Sequence, residues 1–422
     1  MQRVIVPIKK AIHAHLQMPG SKSITNRALI MASLATGVSV ISGLLLSDDT
    51  YACIHALQQL GVTISLDPET RSCIVGGCQG IFPNKTATIQ CADAGTVARF
   101  LLAVCAAMPG KFQFEGSARL SERPLKNLIE VLRAMGAVFL PQNATHLPLT
   151  VQGSALSGGT YKIDGKSSSQ FLSALLMAAP FARKQIILET SELVSRPFVD
   201  MTCAMMAEFG VLVRRLHPER FDVPVPQHYI ARDYVVEPDL TTAACFFAAA
   251  AVTAGEVTIQ PLDIAQSKQG DVKFLSILRK MGCHIIESNK GLTVKGSTAL
   301  QGLNVDMRDC SDTFMALAAI APFAQTPTTM TNIGHTRLQE SDRIHVMKTQ
   351  LEKLNIQVEE GPDWLRVHPS QPKSGTIDAH GDHRIAMAFS VIGLRSGVTI
   401  QGAECVKKTC PTFFEMWEVF TH

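Results

Sequence analysis

The sequence carries little net charge, since its 422 residues sum to +3 at pH 7. It contains no run of Lys or Arg and no basic stretch interleaved with aromatic residues, so we expect no nucleic-acid partner. Its most apolar run, residues 243–254, is too short to span a bilayer, and residues 1–7 lack the apolar core of a signal peptide. We therefore expect a cytoplasmic protein without a membrane partner.

Patterns typical of disulfides and metal sites are also missing. The 11 cysteines are scattered, most of them inside apolar runs, and no CxxC pair occurs. This favours buried free thiols over disulfides or a zinc site. His380 and His383 are close in sequence, but no Cys or carboxylate cluster accompanies them, so we predict no metal site. The hydrophobic content of 46% is enough for two sizeable cores.

What the sequence does contain is a repeat of roughly 72 residues. Each copy has a helix with a polar start and an Ala-rich apolar body. Ser, Thr, Asp and Gly at these starts are typical caps of a first helical turn, whose free N–H groups can bind anions. The six starts lie at residues 23–27, 93–96, 167–170, 240–242, 310–313 and 381–384.

A second marker follows the same period. Five helical segments end in a residue suited to a left-handed position, and a Val- or Ile-rich segment follows each of them. These terminal residues are Gly61, Gly136, Gly210, Gly282 and Asn355. Each repeat is therefore predicted to hold two helices and short strands.

The repeats also predict the domains. Three polar-start helices precede residue 230 and three follow it. Two prolines within residues 221–229 suit a crossing strand better than a helix, and a second crossing is expected near residues 18–20. We predict that residues 1–19 and 231–422 form lobe one, that residues 20–230 form lobe two, and that the helix starts surround a cleft.

Eight motifs of the chain occur in the order found in a known enzyme family. They are residues 19–27, 94–96 with Arg99, 122–124, 168–170, Asp312, 340–343, 382–384 and 408–409. In these motifs the sequence resembles the 3-phosphoshikimate 1-carboxyvinyltransferases, also called 5-enolpyruvylshikimate-3-phosphate synthases, within the enolpyruvyl transferases. The resemblance spans essentially the whole chain.

The resemblance implies an α/β fold of two lobes. Each lobe would contain three βαβαββ repeats with pseudo-threefold symmetry, of the inside-out α/β barrel type, and the active site would lie in the inter-lobe cleft. It also implies transfer of the enolpyruvyl group of phosphoenolpyruvate to the 5-hydroxyl of shikimate 3-phosphate, with release of phosphate. The reaction would proceed by addition and elimination through a tetrahedral intermediate, without a cofactor. We expect a monomer.

The resemblance further implies roles for individual residues. Such a reaction needs a base, an acid and cations around acidic groups. The implied catalytic residues are Lys22, Asp312 and Glu340, and which of them moves which proton stays open. The implied phosphoenolpyruvate-binding residues are Lys22, Gly95, Arg123, Gln170, Arg343, Arg384 and Lys408. The implied shikimate-3-phosphate-binding residues are Lys22, Ser23, Arg27, Ser168, Ser169, Gln170, Ser195, Asp312, His335 and Gln339.

The chain departs from the family pattern at four positions. Asp93 replaces the usual Asn, and Phe198 replaces a common Tyr. On the acceptor side, Gln339 stands where the family usually has Lys, and His335 stands where it usually has Asn. We expect a partly protonated His335 to supply the missing charge below about pH 6.5.

Other interpretations stay open at this point. Ser23, Ser168, Ser169 and Asp382 suit plain helix caps, and Arg99 suits a solvated helix face. A UDP-N-acetylglucosamine enolpyruvyl transferase would carry a Cys in the stretch 115–123, which has none. The remaining alternatives are an enolpyruvyl transferase with a different hydroxylated anionic acceptor and an inactive paralogue that only binds ligands.

Overall fold

The computed structural model describes residues 1–288 and 291–420. The strands are short, as expected for a chain in which each repeat supplies its own small sheet. Their bounds are β1 Gln2–Ile5, β2 His13–Leu16, β3 Val38–Ser42, β4 Thr63–Asp67, β5 Ser72–Gly76, β6 Thr86–Gln90, β7 Gly110–Glu115, β8 Val138–Leu140, β9 Leu149–Gly153, β10 Gly159–Asp164, β11 Ile186–Ser191, β12 Arg214–His217, β13 Arg220–Val223, β14 Tyr234–Val235, β15 Glu256–Ile259, β16 His284–Ser288, β17 Gly291–Lys295, β18 Asn304–Asp306, β19 Thr328–Thr331, β20 Val358–Glu360, β21 Leu365–Val367, β22 Gly375–Asp378 and β23 Val398–Gln401.

Helices α1, α3, α6, α8, α10 and α12 begin at or next to the six polar starts that the sequence predicts. Their bounds are α1 Lys22–Leu34, α2 Asp48–Gln59, α3 Gly95–Ala106, α4 Ala118–Glu122, α5 Lys126–Ala134, α6 Ser169–Ala178, α7 Arg196–Glu208, α8 Leu240–Thr253, α9 Lys273–Lys280, α10 Phe314–Ile320, α11 Arg343–Lys353, α12 His383–Ser396 and α13 Phe413–Trp417. Short 3₁₀ turns lie at Gly270–Val272, Ser311–Thr313, Gly334–Leu338 and Ala403–Lys408.

The chain forms two compact units. The N-terminal unit is Gly20–Glu237, and the C-terminal unit joins Met1–Pro19 to the chain from Pro238 onward. The sequence predicts that lobe two, the N-terminal unit, ends at residue 230. In the structure β14 extends the N-terminal unit beyond that point, because Tyr234 pairs with Ile41 of β3.

Each unit contains three sheets among the described residues; five of these six sheets share one four-stranded topology, and the sixth has three strands. In the N-terminal unit the strand orders are β14-β3-β5-β4, β6-β7-β9-β8 and β10-β11-β13-β12. In the C-terminal unit they are β2-β15-β17-β16, β18-β19-β21-β20 and β22-β23-β1. The first two strands of every sheet are parallel and the others pair antiparallel. The run β6-α3-β7-α5-β8-β9, with short α4 inserted, shows the expected βαβαββ repeat.

Two repeats take their first strand from a distant part of the chain. β2 lies near the start of the sequence but pairs with β15, where Glu256 is opposite His13. β14 comes after every other strand of its unit but pairs with β3. These two pairings explain why the chain crosses twice between units.

The first helix of each repeat is buried because it has no polar face. Every residue of α3 and of α8 is buried, as expected for helices that are apolar all round. Helix α3 packs against α6, and α12 packs against α8 and α10. The second helices, such as α5 and α9, bury only one face. Each unit consequently has its own hydrophobic core.

The predicted helix ends and cysteine states are confirmed. All five predicted terminal residues have positive φ: 88° at Gly61, 100° at Gly136, 85° at Gly210, 105° at Gly282 and 63° at Asn355. The 11 cysteines are free thiols, and most of them are buried. Among the described residues, no helix has both the length and the apolar character needed to cross a membrane.

Candidate active site

A buried arginine organises the polar groups of the C-terminal unit. Arg343 is the first residue of α11, and its side chain is only 2% exposed. Its Nε donates to Asp382 Oδ2 at 2.8 Å, its Nη1 to Asp312 Oδ1 at 3.0 Å, and its Nη2 to Glu340 Oε2 at 2.9 Å. Three carboxylates from separate segments therefore converge on one guanidinium.

Two further cations extend this cluster. Lys408 Nζ lies 3.3 Å from Glu340 Oε1, and Arg384 Nη2 lies 3.5 Å from Asp312 Oδ2. Along the line Lys408, Glu340, Arg343, Asp312 and Arg384, cations and carboxylates alternate. Burial alone would lower the pKa of Arg343, but the surrounding carboxylates outweigh this effect and raise the pKa above its ordinary value. The guanidinium is thus a fixed positive charge, flanked by two groups suited to proton transfer.

Asp382 joins the start of helix α12 to this cluster. It is fully buried and caps the helix by accepting from the backbone N–H of Arg384 at 3.0 Å. The hydroxyl of Ser341 also donates to its carboxylate at 3.0 Å. The cap interpretation of Asp382 is therefore correct but incomplete, because the same carboxylate also holds Arg343.

The acceptor-side departures lie next to this cluster. His335 belongs to the 3₁₀ turn Gly334–Leu338, and its Nε2 lies 2.9 Å from the hydroxyl of Ser311. Burial lowers the pKa of His335 to about 4, although Asp312 acts in the opposite direction. The expectation that His335 is partly protonated below about pH 6.5 is therefore wrong. Gln339 follows the turn and accepts a hydrogen bond from Arg343 Nη1 through its Oε1.

In the N-terminal unit, Lys22 begins helix α1. Its Nζ lies 3.2 Å from Oδ2 of Asp49, a buried residue of α2. The sequence analysis missed Asp49 because it lies in the capped first turn of α2 after Ser47, where an acid is ordinary helix-start chemistry. A partly buried ammonium held by a buried carboxylate is a well-defined cation at a helix start.

Arg27 lies deeper inside the same unit. It is 1% exposed and lies over the ring of Phe100, with 4.9 Å between Cζ and the ring centroid. It donates to the hydroxyl of Thr202 at 2.7 Å and to the carbonyls of Ser23 and Phe198 at 2.9 and 3.2 Å. Burial lowers the pKa of Arg27 to about 9. Its predicted contact with a substrate phosphate stays a prediction.

Two arginines and a glycine meet at the start of α3. A Cβ built on Gly95 would lie 2.8 Å from the nearest guanidinium nitrogen of both Arg99 and Arg123. Arg99 Nη1 donates to Gln170 Oε1 at 2.6 Å. Arg99 is 3% exposed, which excludes the solvated-face interpretation. Arg99 therefore joins the predicted residues Gly95, Arg123 and Gln170, although it was not among the predicted site residues.

The four predicted serines occupy different local positions, and Ser23 lies in the first turn of α1. Ser168 caps α6 by accepting from the backbone N–H of Gln170 at 3.2 Å, whereas Ser169 is the buried first residue of that helix. Ser195 is buried and precedes α7 with φ of 49°, an uncommon backbone conformation for a residue with a side chain. Asp93 accepts a hydrogen bond from the hydroxyl of Ser117.

The site residues do not include a metal-binding arrangement. Within residues 1–288 and 291–420, no group of three or more His, Cys, Asp or Glu side chains is arranged to hold a metal ion. The chemistry available at these helix starts is that of clustered guanidinium, ammonium and carboxylate groups. Such groups bind anions and transfer protons.

Comparisons with known proteins agree with this fold. A relative from Nostoc punctiforme named 3-phosphoshikimate 1-carboxyvinyltransferase is 41% identical over 98% of each chain. A solved EPSP synthase from Acinetobacter baumannii has a TM-score of 0.84 and 26% identity, covering 99% of this chain and 98% of that one. The enolpyruvyl transferase NikO from Streptomyces tendae has a TM-score of 0.80 at 16% identity, covering 100% of this chain and 97% of that one, which shows the shared fold.

The fold is thus that of the enolpyruvyl transferases. The family model of EPSP synthase (3-phosphoshikimate 1-carboxyvinyltransferase) matches residues 6–417. The chain belongs to this family.

Proposed function

We propose that the protein transfers the enolpyruvyl group of phosphoenolpyruvate to the 5-hydroxyl of shikimate 3-phosphate and releases phosphate. Membership of the EPSP synthase family supports this reaction. The observation that carries the proposal is the convergence of Asp312 and Glu340 on the two terminal nitrogens of one guanidinium, that of Arg343. This pair of carboxylates offers a base and an acid within one small region.

The reaction consists of an addition followed by an elimination. The 5-hydroxyl oxygen bonds to C2 of phosphoenolpyruvate while a proton is added to the methylene carbon. Loss of a proton from the resulting methyl group then expels phosphate and restores the double bond. We assign Asp312 as the base for the hydroxyl, Glu340 as the group that exchanges the methyl proton, and Lys22 as an assisting acid.

The donor carries a phosphate and a carboxylate, which guanidinium groups bind in a bidentate manner. In the C-terminal unit we assign Arg343, Arg384 and Lys408 to this donor. Arg384 suits the role because its Nε is buried and donates to no protein group among the described residues. In the N-terminal unit we assign Lys22, Gly95, Arg123 and Gln170, and Arg99 supports them through its bond to Gln170.

The acceptor residues remain those implied by the family pattern. We assign Lys22, Ser23, Arg27, Ser168, Ser169, Gln170, Ser195, Asp312, His335 and Gln339 to shikimate 3-phosphate. The side-chain carbonyl of Gln339 accepts from Arg343, and an amide side chain is chemically able both to donate and to accept hydrogen bonds.

A second candidate function is transfer to a different hydroxylated anion. It is favoured by the uncharged Gln339 at the position where the family usually has Lys, and by the burial of His335 beside Ser311, which lowers the pKa of His335 to about 4. Neither His335 nor Gln339 then supplies the positive charge that a Lys would bring to the acceptor side at neutral pH. The two functions differ only in the acceptor.

Phosphate release tests both functions. The purified protein is mixed with phosphoenolpyruvate and either shikimate 3-phosphate or UDP-N-acetylglucosamine, and the product is identified by mass spectrometry. We expect turnover when the acceptor is shikimate 3-phosphate and none when it is UDP-N-acetylglucosamine. Turnover should fall strongly in Asp312→Asn and stay normal in Asp306→Asn, because the Asp306 side chain is exposed at the end of β18. Absence of turnover with shikimate 3-phosphate would contradict the acceptor assignment.

A further inference from the structure

A short segment of the C-terminal unit carries several of the proposed site residues. Residues 338–342 connect the 3₁₀ turn Gly334–Leu338 to helix α11. The segment contains Gln339 and Glu340, and Arg343 follows it directly. Because these side chains must meet partners on other segments, the backbone of residues 338–342 has to be held in place.

Arg337 lies at the entrance of this segment and uses its whole guanidinium. Its Nη1 donates to both carboxylate oxygens of Asp342, at 2.7 and 2.8 Å. Its Nη2 donates to Glu360 Oε2 at 2.9 Å and to the carbonyl of Gly361 at 2.7 Å. Its Nε donates to the carbonyl of Pro362 at 3.0 Å. These contacts engage all three nitrogens of the guanidinium.

The first of these partners controls the start of helix α11. Asp342 is the N-cap residue, and its Oδ1 accepts from the backbone N–H of His345 at 3.1 Å. The carboxylate that closes the first helical turn is therefore the one whose two oxygens both contact Arg337 Nη1. Arg343 is the first residue of that turn, so its position depends on the same carboxylate.

The other partners belong to the turn between β20 and β21. Glu360 ends β20, and Gly361 and Pro362 follow it. The 3₁₀ turn lies against the same region, because Ile333 N donates to the carbonyl of Asp363 at 3.0 Å. Arg337, which precedes the segment 338–342, thus contacts both Asp342 at the far end of that segment and the turn between β20 and β21.

We propose that Arg337 is a positioning residue for the transfer reaction, holding the segment 338–342 so that Glu340 and Arg343 keep their places. The inference rests on the proposed function. Arg337 itself touches none of the groups assigned to the substrates. It acts through Asp342 and through the β20–β21 turn.

The sizes of two effects separate positioning from general stabilisation. The Arg337 side chain is 24% exposed, and ion pairs of this kind contribute roughly 0.2–1 kcal/mol to stability. A displacement of about 1 Å at a reacting group, in contrast, lowers rates by up to about 100-fold. Loss of Arg337 should therefore lower kcat strongly while it lowers the melting temperature only slightly.

The first experiment compares Arg337→Ala with Arg366→Ala. Arg366 lies on β21 of the same sheet and donates through Nε to the hydroxyl of Thr329 at 2.9 Å, so it is a matched arginine without a bond to the segment. We expect kcat to fall by about 10- to 100-fold in Arg337→Ala and to stay normal in Arg366→Ala. Equal losses in both variants would overturn the proposal.

Two further readouts exclude a purely structural role. Millimolar guanidinium should restore part of kcat to Arg337→Ala, whereas equal concentrations of sodium or ammonium chloride should not. Arg337→Lys keeps the charge but not the fork, so it should retain more activity than Arg337→Ala and less than the natural protein. Absence of guanidinium rescue, together with equal kcat in the two Arg337 variants, would count against positioning.

Hydrogen exchange provides a readout that does not require turnover. Peptides that cover residues 338–346 should exchange faster in Arg337→Ala than in the natural protein, while peptides from α12 stay protected. Unchanged exchange in residues 338–346 would overturn the proposal even if the enzyme were active. Should the natural protein not turn over shikimate 3-phosphate, the proposed acceptor fails, whereas faster local exchange would still support Arg337 as the residue that holds the segment.

Discussion

Adding one methyl group at Gly95 would test the arginine cluster at the start of α3. The Cβ of Gly95→Ala would lie 2.8 Å from guanidinium nitrogens of both Arg99 and Arg123, where ordinary contacts begin at 3.4 Å. Each guanidinium must therefore withdraw by about 0.6 Å, the difference between these two distances. Arg99 cannot withdraw easily because it donates to Gln170 at 2.6 Å.

The expected effect follows from this displacement. Since a shift of about 1 Å lowers rates by up to about 100-fold, kcat/KM for phosphoenolpyruvate should fall by about 10- to 100-fold in Gly95→Ala. That range corresponds to about 1.4–2.7 kcal/mol of lost transition-state stabilisation. Folding should be affected less, because the displaced atoms are the ends of flexible side chains rather than backbone.

Steady-state phosphate release at varied phosphoenolpyruvate measures the change, and a thermal melt checks folding. Gly76→Ala is the matched control, because its Cβ would have Thr63 as its closest neighbour at 3.6 Å and no positive φ opposes it. We expect the control to behave like the natural protein. If Gly95→Ala keeps kcat and KM within experimental error of the natural values, the cluster at α3 does not take part in donor binding.

Three other outcomes are expected. Asp312→Asn and Glu340→Gln should each lower kcat by about 100-fold or more in phosphate-release assays, with smaller changes in KM for phosphoenolpyruvate. Burial, and after it the nearby Asp312, raises the pKa of Asp271 to about 7. The folded state therefore keeps a proton that the unfolded chain loses, and the free energy of unfolding should fall as the pH rises from about 4 to 7. Urea titrations should show a smaller fall in Asp271→Asn. The low pKa of His335, about 4, has the opposite effect on stability, because between about pH 4 and 6.5 the imidazole is protonated in the unfolded chain but neutral in the folded one. The free energy of unfolding should therefore rise with pH across this range, and it should rise less in His335→Asn.

The parts of the fold that follow local rules could be predicted from the sequence. A glycine or asparagine after a helical run indicates a left-handed helix end, and Gly61 and Asn355 both adopt it. Ala-rich segments without a polar face indicate buried helices, and α8 is buried throughout. These signals depend only on neighbours in the chain, so they survive without knowledge of the tertiary structure.

Strand partners separated by long stretches of chain could not be predicted in this way. Nothing in the two residues Tyr234 and Val235 indicates that they pair with β3, and the boundary at residue 230 was placed too early for this reason. Similarly, the local pattern around His13 does not identify Glu256 as its neighbour on β15. Such pairings are fixed by the packing of whole repeats.

For the site, motif order identified residues but not their partners. Arg99 was open to a surface interpretation, although α3 has no polar face on which a charged side chain could reach solvent. An arginine inside an otherwise apolar helix has to be buried and paired, and this signal was available in the sequence. The Lys22–Asp49 pair was less accessible, because acids near helix starts are common.

The buried cluster around Arg343 is more readily explained by chemistry than by stability. Removing charges from water is costly, and well-packed apolar residues in place of buried ion pairs are often neutral or stabilising by about 1–4 kcal/mol. Arg343 and Asp382 are nevertheless almost completely buried and paired with each other. Arg343 also pairs with Asp312 and Glu340, and Asp382 also accepts from the hydroxyl of Ser341. A fold that needed only stability would gain little from such an arrangement. The proposed reaction takes a proton from a hydroxyl with one carboxylate and exchanges a methyl proton with the other, beside an anionic donor. Such a reaction would require fixed charges at fixed places, and this need would account for the buried cluster.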